Sequence, residues 1–338
     1  MRRVVFVVIA SATLVLMSST AGLTNDKERA LTLASHGDPF ASCLATGANS
    51  IGVNYPDTEL EPWVAANPAN RRNLIGTYQQ DRWYDGGAKG LVAAYSVNSG
   101  QSWNSVALPF SECAAPYYGG NVLHYERASD PWNSTGKDGI AYAVSLSFSN
   151  NGDNAVGAAR SLDGGRTWTN QQAIIADDAS AFDDKESVTA DPLVPRTAYA
   201  VWDRFFVDTC PPGPRAKSQT MNSRARSQRE RSTVAAPAAG PAAAAAAQCL
   251  FQPTFFSRTT DGGVHWEKPR AIAATAPDEA TLGNIVVINH QTGALYDFFT
   301  HFSSTGAVTV ELVISTDKGN KYLERQPGGQ QRRRRQRF

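Results

Sequence analysis

Four copies of one eight-residue pattern, Ser/Thr-x-Asp/Asn-x-Gly-x-x-aromatic, constrain this chain more than any other feature. They are Ser96–Trp103, Ser161–Trp168, Thr259–Trp266 and Ser315–Tyr322. The pattern is that of a stapled hairpin. The Asp or Asn side chain bonds back to turn amides, Gly supplies a positive φ, and the aromatic packs beneath the turn. One copy is weak evidence; four predict a repeating β unit.

A second signal keeps phase with the first. It is an acidic or amide residue opening an apolar strand, at Glu61-Pro-Trp-Val, Asp130-Pro-Trp-Asn, Asp191-Pro-Leu-Val and Asn284-Ile-Val-Val. From there to the hairpin pattern the intervals are 35, 31, 68 and 31 residues. The long interval exceeds its neighbours by 37, the length of residues 211–247. That Pro-, Arg-, Ser- and Ala-rich stretch has no core-forming periodicity and reads as a low-complexity insertion. Each repeat then reads as four strands, 62–66, 74–80, 91–97 and 104–108 in the first and 130–134, 140–148, 155–162 and 167–175 in the second. The predicted class is all-β, a β-propeller of four-stranded blades over residues 56–325. No 3.6-residue apolar period is sustained, which argues against a helical solenoid.

The repeat at this spacing resembles the Asp-box (BNR) repeat of the sialidase superfamily, over roughly residues 56–323 without the insertion. The resemblance implies a six-bladed propeller. About four blades are encoded here, so the expectation is an incomplete six-bladed propeller whose end is truncated or frame-shifted, closing in the Arg-rich tail at 326–338. It also implies an exo-α-sialidase type of glycosidase, acting on terminal acidic sugars of glycans without a cofactor. Such chemistry calls for three arginines on the sugar carboxylate, a Tyr nucleophile with a Glu partner, and an Asp acid/base. Planar guanidinium groups pair bidentately with a carboxylate. A neutral Tyr avoids the repulsion that a carboxylate nucleophile would meet there.

Topology sorts the candidates. In a meander with strands A to D from the inside outward, the A–B and C–D turns share one face. The B–C loops and D–A crossovers share the other. The hairpin repeats are C–D turns, so their aspartates read as structural. The opposite face collects Gln80–Asp85, Tyr117-Tyr118, His124–Arg127, Asp183–Glu186 and Trp202–Arg204. Arg82, Arg127 and Arg204 are the candidate substrate clamp, and Asp81, Tyr125, Glu126 and Glu186 the candidate catalytic groups. Local ion pairing is the competing reading of the Asp-Arg steps, and blade packing that of Trp63, Trp132 and Trp202. Residues 183–186 lack calcium-loop spacing, and no His pair has zinc-site spacing, so no metal is expected. The alternative to an enzyme is a non-catalytic Asp-box propeller that binds carbohydrate or protein, because the repeat itself is architectural.

Arg2-Arg3, the apolar run Val4–Met17 and the small residues Ser18–Gly22 describe a secretory signal over residues 1–21, leaving 22–55 as an N-terminal segment. The run would rise about 21 Å as a helix, short of a hydrocarbon core of roughly 30 Å. A secreted or periplasmic protein, off the membrane after signal cleavage, follows as the expectation. Oxidising conditions then allow Cys43, Cys113, Cys210 and Cys249 to pair in three ways. Cys210 and Cys249 bracket the insertion, which favours that pair and, by default, Cys43–Cys113. Three basic stretches, residues 2–3, 211–247 and 325–338, carry +2, +5 and +6 of a net +1, leaving −12 on the rest. An acidic body argues against nucleic acid as partner. A glycan or sialoglycoconjugate and a monomeric state are expected instead.

Overall fold

The computed structural model describes residues 31–44, 53–210 and 248–323. The predicted signal at 1–21, the insertion at 211–247 and the tail at 326–338 lie outside the described residues. The described chain is all-β apart from a short 3-10 helix, Glu112–Tyr117.

The strands form successive antiparallel meanders. The first comprises β1 (Asn54–Ala66), β2 (Leu74–Trp83), β3 (Ala88–Ser96) and β4 (Asn104–Ala107). The second comprises β5 (Arg127–Thr135), β6 (Ala141–Phe148), β7 (Asn154–Ser161) and β8 (Thr169–Asp177). The third uses β9 (Ala181–Ala190), β10 (Ala198–Thr209), β11 (Gln248–Gln252), β12 (Thr254–Thr259) and β13 (Arg270–Ala273). Here β12 pairs with the near part of β10, and β11 with its far end. The last described meander is β14 (Glu279–Ile288), β15 (Leu295–Phe302) and β16 (Val308–Ser315).

All eight strands predicted for the first two repeats are present, with ends moved by a few residues; β1 moves most, beginning at Asn54 rather than Pro62. The third copy of the second signal needs correcting. Asp191 does not open an inner strand. It caps the turn between β9 and β10, accepting hydrogen bonds from the Leu193 and Val194 amides and from the Tyr199 hydroxyl. The residues in phase with Glu61-Pro-Trp and Asp130-Pro-Trp are Lys185-Glu186-Ser187 in β9. An Asp-Pro turn and an Asp-Pro bulge look alike in sequence, because both exploit a residue that tolerates unusual φ next to one that fixes it.

The hairpin copies join the third and fourth strands of their meanders, as their chemistry requires. In Ser161–Trp168, Asp163 accepts from the Arg166 and Thr167 amides at 3.1 and 2.9 Å, and Ser161 Oγ accepts from the Gly165 amide at 2.9 Å. Gly165 sits at φ +93°, and a Cβ there would lie 3.1 Å from Ile75 of the preceding meander. Trp168 is buried in the core between the first two meanders. Successive copies are tied together, Arg160 donating to the Gly262 carbonyl and Arg258 to that of Lys318.

Each meander packs face to face on the next. Ile75 and Ala93 meet Ala141 and Ala143, Val144 and Val156 meet Val188 and Ala200, and Tyr199 and Val201 meet Val286 and Leu295. The first strands of the meanders lie side by side. Trp63 Nε1 donates to the Asn133 carbonyl, Ser134 Oγ accepts from the Ala190 amide, and Ser187 Oγ donates to the Asn284 carbonyl. The free face of the first meander, Tyr78, Val92 and Ala94, is covered by Phe40 and by Cys113, Ala114 and Val122 of the β4–β5 crossover. Both disulfides expected from the sequence form, Cys43–Cys113 fastening that cover and Cys210–Cys249 closing the root of the insertion. No helix among the described residues is long and apolar enough to cross a membrane.

Candidate functional site

The inner strands repeat one irregularity. Each shifts register against its neighbour at a bulge, and the bulged residue has positive φ: Glu61 (51°), Asp130 (51°), Lys185 (53°) and Gly283 (73°). A bulge re-aims side chains out of the ladder. For three non-glycine residues it also imposes a left-handed backbone that costs about 1 kcal/mol or more each. Three matched strained positions, carrying two acids and a base, form the candidate site.

The side chains meet. Lys185 Nζ lies 2.5 Å from Asp130 Oδ1 and 3.6 Å from Glu61 Oε1. Gln79, on the second strand of the first meander, donates to Glu61 Oε2 at 2.5 Å and to Ser129 Oγ at 3.0 Å. Arg82 extends the chain of contacts, donating to Gln79 Oε1 at 3.2 Å and to the Gly87 carbonyl at 3.3 Å. Asp130 is buried, whereas Glu61 and Lys185 are 43% and 35% exposed and form the open side of the cluster. Glu186, the residue after the bulge, is buried with neither carboxylate oxygen hydrogen-bonded. Trp63 and Trp132, two residues beyond Glu61 and Asp130, stack with centroids 3.6 Å apart.

The electrostatics follow from crowding acids in little water. Burial, reinforced by the Asp130 charge, lifts Glu61 above the usual carboxylate range. Burial, then the Asp184 charge, lifts Asp130. Burial lifts Glu186 well above it, with Asp130 adding to the effect. Burial works against the charge on Lys185, but Asp130, Asp184 and Glu61 outweigh it and hold the ammonium on. The cluster therefore sets carboxyl groups of raised proton affinity beside one fixed cation. Among the described residues no three His, Cys, Asp or Glu side chains are grouped to hold a metal ion.

The residues picked from sequence are dispersed by the structure. Arg127 is buried beneath the B–C loop, 2.7 Å from Asp85 and stacked over the Trp83 ring at 5.1 Å. Arg204 pairs bidentately with Asp177, Nη2–Oδ1 being 2.7 Å, and also contacts Asp183. Two of the three expected clamp arginines thus already hold carboxylates of this chain. Among the described residues Arg82 forms no ion pair. Asp81 is buried, salt-bridged to Lys89 at 2.9 Å and accepting from the Asp57 amide, so it serves the fold. Glu126 accepts from the Asn150 amide and side chain and closes the β6–β7 loop. Tyr125 has its phenol raised by burial and by the charges of Asp153 and Asp177, and no described carboxylate is hydrogen-bonded to it. Glu186 and Arg82 are the expected residues that reach or adjoin the inner-strand cluster. Trp202 is core, its Nε1 donating to Asp183 at 2.7 Å. Glu61, Asp130 and Gln79 are not among the residues expected at the site, and Lys185 is among them only as a member of the Asp183–Glu186 stretch. Their signal was the phase of Glu61-Pro-Trp and Asp130-Pro-Trp, read as strand starts rather than as bulges.

No family model matches the sequence, and no curated protein matches it. Among solved structures the chain is similar to a Hadza microbial sialidase, at 16% identity and a TM-score of 0.45, covering 80% of this chain and 47% of that one. It is similar to Trypanosoma rangeli sialidase in complex with the inhibitor DANA, at 12% identity and a TM-score of 0.44, covering 79% and 38%. It is similar to a thermostable family-43 glycoside hydrolase, at 10% identity and a TM-score of 0.43, covering 80% and 73%. The chain spans less than half the length of either sialidase.

Proposed function

We propose that this chain is an exported, sialidase-like glycoside hydrolase that takes the terminal sugar of a glycan end-on where its inner strands meet. The observation that carries the reading is the half-open Gln79–Glu61–Lys185–Asp130 network, built at matched bulges of three consecutive strands. Glycoside hydrolysis needs a carboxyl group that keeps its proton near neutrality to protonate the leaving oxygen, and a second group to deal with the anomeric carbon. Glu61, raised and exposed, has the first role. A water molecule entering from the open side of the cluster bonds to the anomeric carbon as the leaving oxygen departs with the Glu61 proton. Burial and the neighbouring Asp130 carboxylate favour the proton on Glu61. Lys185, with Arg82 behind Gln79, supplies the positive charge that an acidic sugar requires.

A second reading, a non-catalytic glycan- or protein-binding propeller, is favoured by the pairing of Arg127 and Arg204 with Asp85 and Asp177, which leaves no three-arginine clamp. One experiment separates the two. Purified protein is assayed against fluorogenic aryl glycosides, N-acetylneuraminide and neutral sugars alike, from pH 4 to 8. Turnover that falls as pH rises through the Glu61 titration is expected. Measurable sugar binding without turnover of any glycoside would leave the binding module.

A further inference from the structure

The hairpin repeats share one face with the β1–β2, β5–β6, β9–β10 and β14–β15 turns, as antiparallel meanders require. Contacts between meanders knit these turns into one surface. Asn73 donates to the Gly164 carbonyl at 3.0 Å, Arg196 to that of Asp261 at 2.7 Å, and Lys318 Nζ lies 3.0 Å from Asp191. The charge on this surface is one-sided. Arg71 and Arg72 of the first meander are exposed, as are Lys137 and Arg166 of the second. So are Arg196 and Lys268 of the third and Lys321 of the last. Among the described residues none of these seven forms an ion pair. Lys137, Arg166 and Arg196 donate to carbonyls, which leaves their charge uncancelled. The acids of the same turns point inward. Asp163, Asp261 and Asp317 accept from amides of their own hairpins, Asp191 is buried, and Glu267 is held by Arg258. Asp138 is the one exposed acid of these described turns. The opposite face reverses the sign: its described loops and crossovers hold six acids and not one Lys or Arg.

Two features select what such a face fits. The bases stand on turn tips of all four meanders rather than along one groove, so they match a charged plane better than a single polymer strand. Between them the tips lift apolar side chains into water, Leu162 to 62%, Val97 to 40% and Val194 to 38%. Leu162 shares its turn with Arg166, and Val194 shares its turn with Arg196. Bases drawn to anionic headgroups, with apolar tips that enter between the headgroups, are the combination that holds peripheral proteins on a bilayer. Repulsion of the acidic face opposes the reverse orientation. We propose that the hairpin-turn face docks on an anionic lipid bilayer and turns the acidic face to the medium, in place of the membrane-free state expected after signal cleavage.

Co-sedimentation of the full chain with phosphatidylcholine vesicles, with and without about 30 mol% phosphatidylglycerol, tests this. Binding should be at least tenfold tighter to the anionic vesicles, and that preference should fade between about 50 and 300 mM salt as the Debye length shrinks. Each base near an anionic surface contributes about fivefold to binding. Arg71→Glu with Arg72→Glu, and separately Lys268→Glu with Lys321→Glu, should therefore each weaken binding at least tenfold with the melting midpoint unchanged. If one double variant misfolds, the other still reports. Leu162→Ser should weaken vesicle binding about threefold or more and leave retention on soluble dextran sulfate unchanged. No readout depends on turnover of a glycoside. Equal binding to neutral and anionic vesicles, or none to either, overturns the proposal. Binding to dextran sulfate without binding to vesicles also overturns it and hands the face to a polyanion. Anionic binding that survives both double variants overturns the choice of face and moves the attraction to the basic stretches 211–247 and 325–338.

Discussion

Replacing Asp183 by Asn should remove much of the pH dependence of stability between pH 4 and 7. Asp183 and Asp177 face one guanidinium, that of Arg204, and Asp177 takes the bidentate position. Burial then pushes Asp183 up to about 7, despite the opposing charge of Arg204. Asp177 is lowered: burial opposes this, but the Arg204 hydrogen bonds outweigh it. The signs differ accordingly. A carboxyl raised in the folded state binds protons more tightly than in the unfolded chain, so its contribution is complete below about pH 4 and is lost as pH rises through 7. The lowered Asp177 acts below that window. A rise from 3.8 to about 7 corresponds to about 4 kcal/mol. Asn mimics the protonated acid, and its Oδ1 can keep the bond from Trp202 Nε1. Urea unfolding at pH 4.5, 5.5, 6.5 and 7.5 measures the change. The stability of Asp183→Asn relative to wild type should improve by several kcal/mol across that range. Parallel curves would refute the raised affinity of Asp183 for its proton.

Trp168→Ala should cost roughly 3–5 kcal/mol in chemical denaturation, because it empties a core site between two meanders. Asp163→Ala, which loses its turn hydrogen bonds, should cost about 1–2 kcal/mol and leave turnover per folded molecule unchanged. Replacing Cys43 and Cys113 together by Ala should remove about 2–5 kcal/mol and expose Phe40, detectable as faster proteolysis between residues 31 and 44. Exchanging residues 211–247 for a short Gly/Ser linker should leave the melting midpoint within a few degrees, because the paired ends of β10 and β11 and the Cys210–Cys249 disulfide already close the loop at its root.

The fold was legible because its repeat is written in backbone chemistry. Ser161, Asp163 and Gly165 bond within one hairpin, so a sequence window of eight residues contains the cause of the turn. The Cys210–Cys249 disulfide was legible for a related reason, its cysteines flanking a stretch whose sequence has no core-forming periodicity. The site was less so. Which face of the meander Arg127 and Arg204 occupy follows from topology. Whether they are spent on Asp85 and Asp177 depends on side chains 42 and 27 residues away. Glu61, Asp130 and Lys185 converge only because three strands bulge at the same level, and a bulge shifts one residue without changing composition. The Pro after Glu61 and after Asp130 was the local trace of it. Lys185 lacks that proline, and Asp191-Pro, six residues on, supplied a false match.

The central claim is that the inner-strand cluster does the chemistry, and the turnover number of Glu61→Gln tests it most directly. Gln keeps the size and can still contact Gln79 and Lys185, but it cannot deliver a proton. With the best aryl glycoside, kcat should fall at least about 100-fold with the melting midpoint held, and the alkaline limb of the pH profile should disappear. Glu126→Gln, whose carboxylate only closes a loop, should keep kcat within about twofold. Full activity in Glu61→Gln, or loss confined to Glu126→Gln, would contradict the account and return the site to the outer loops.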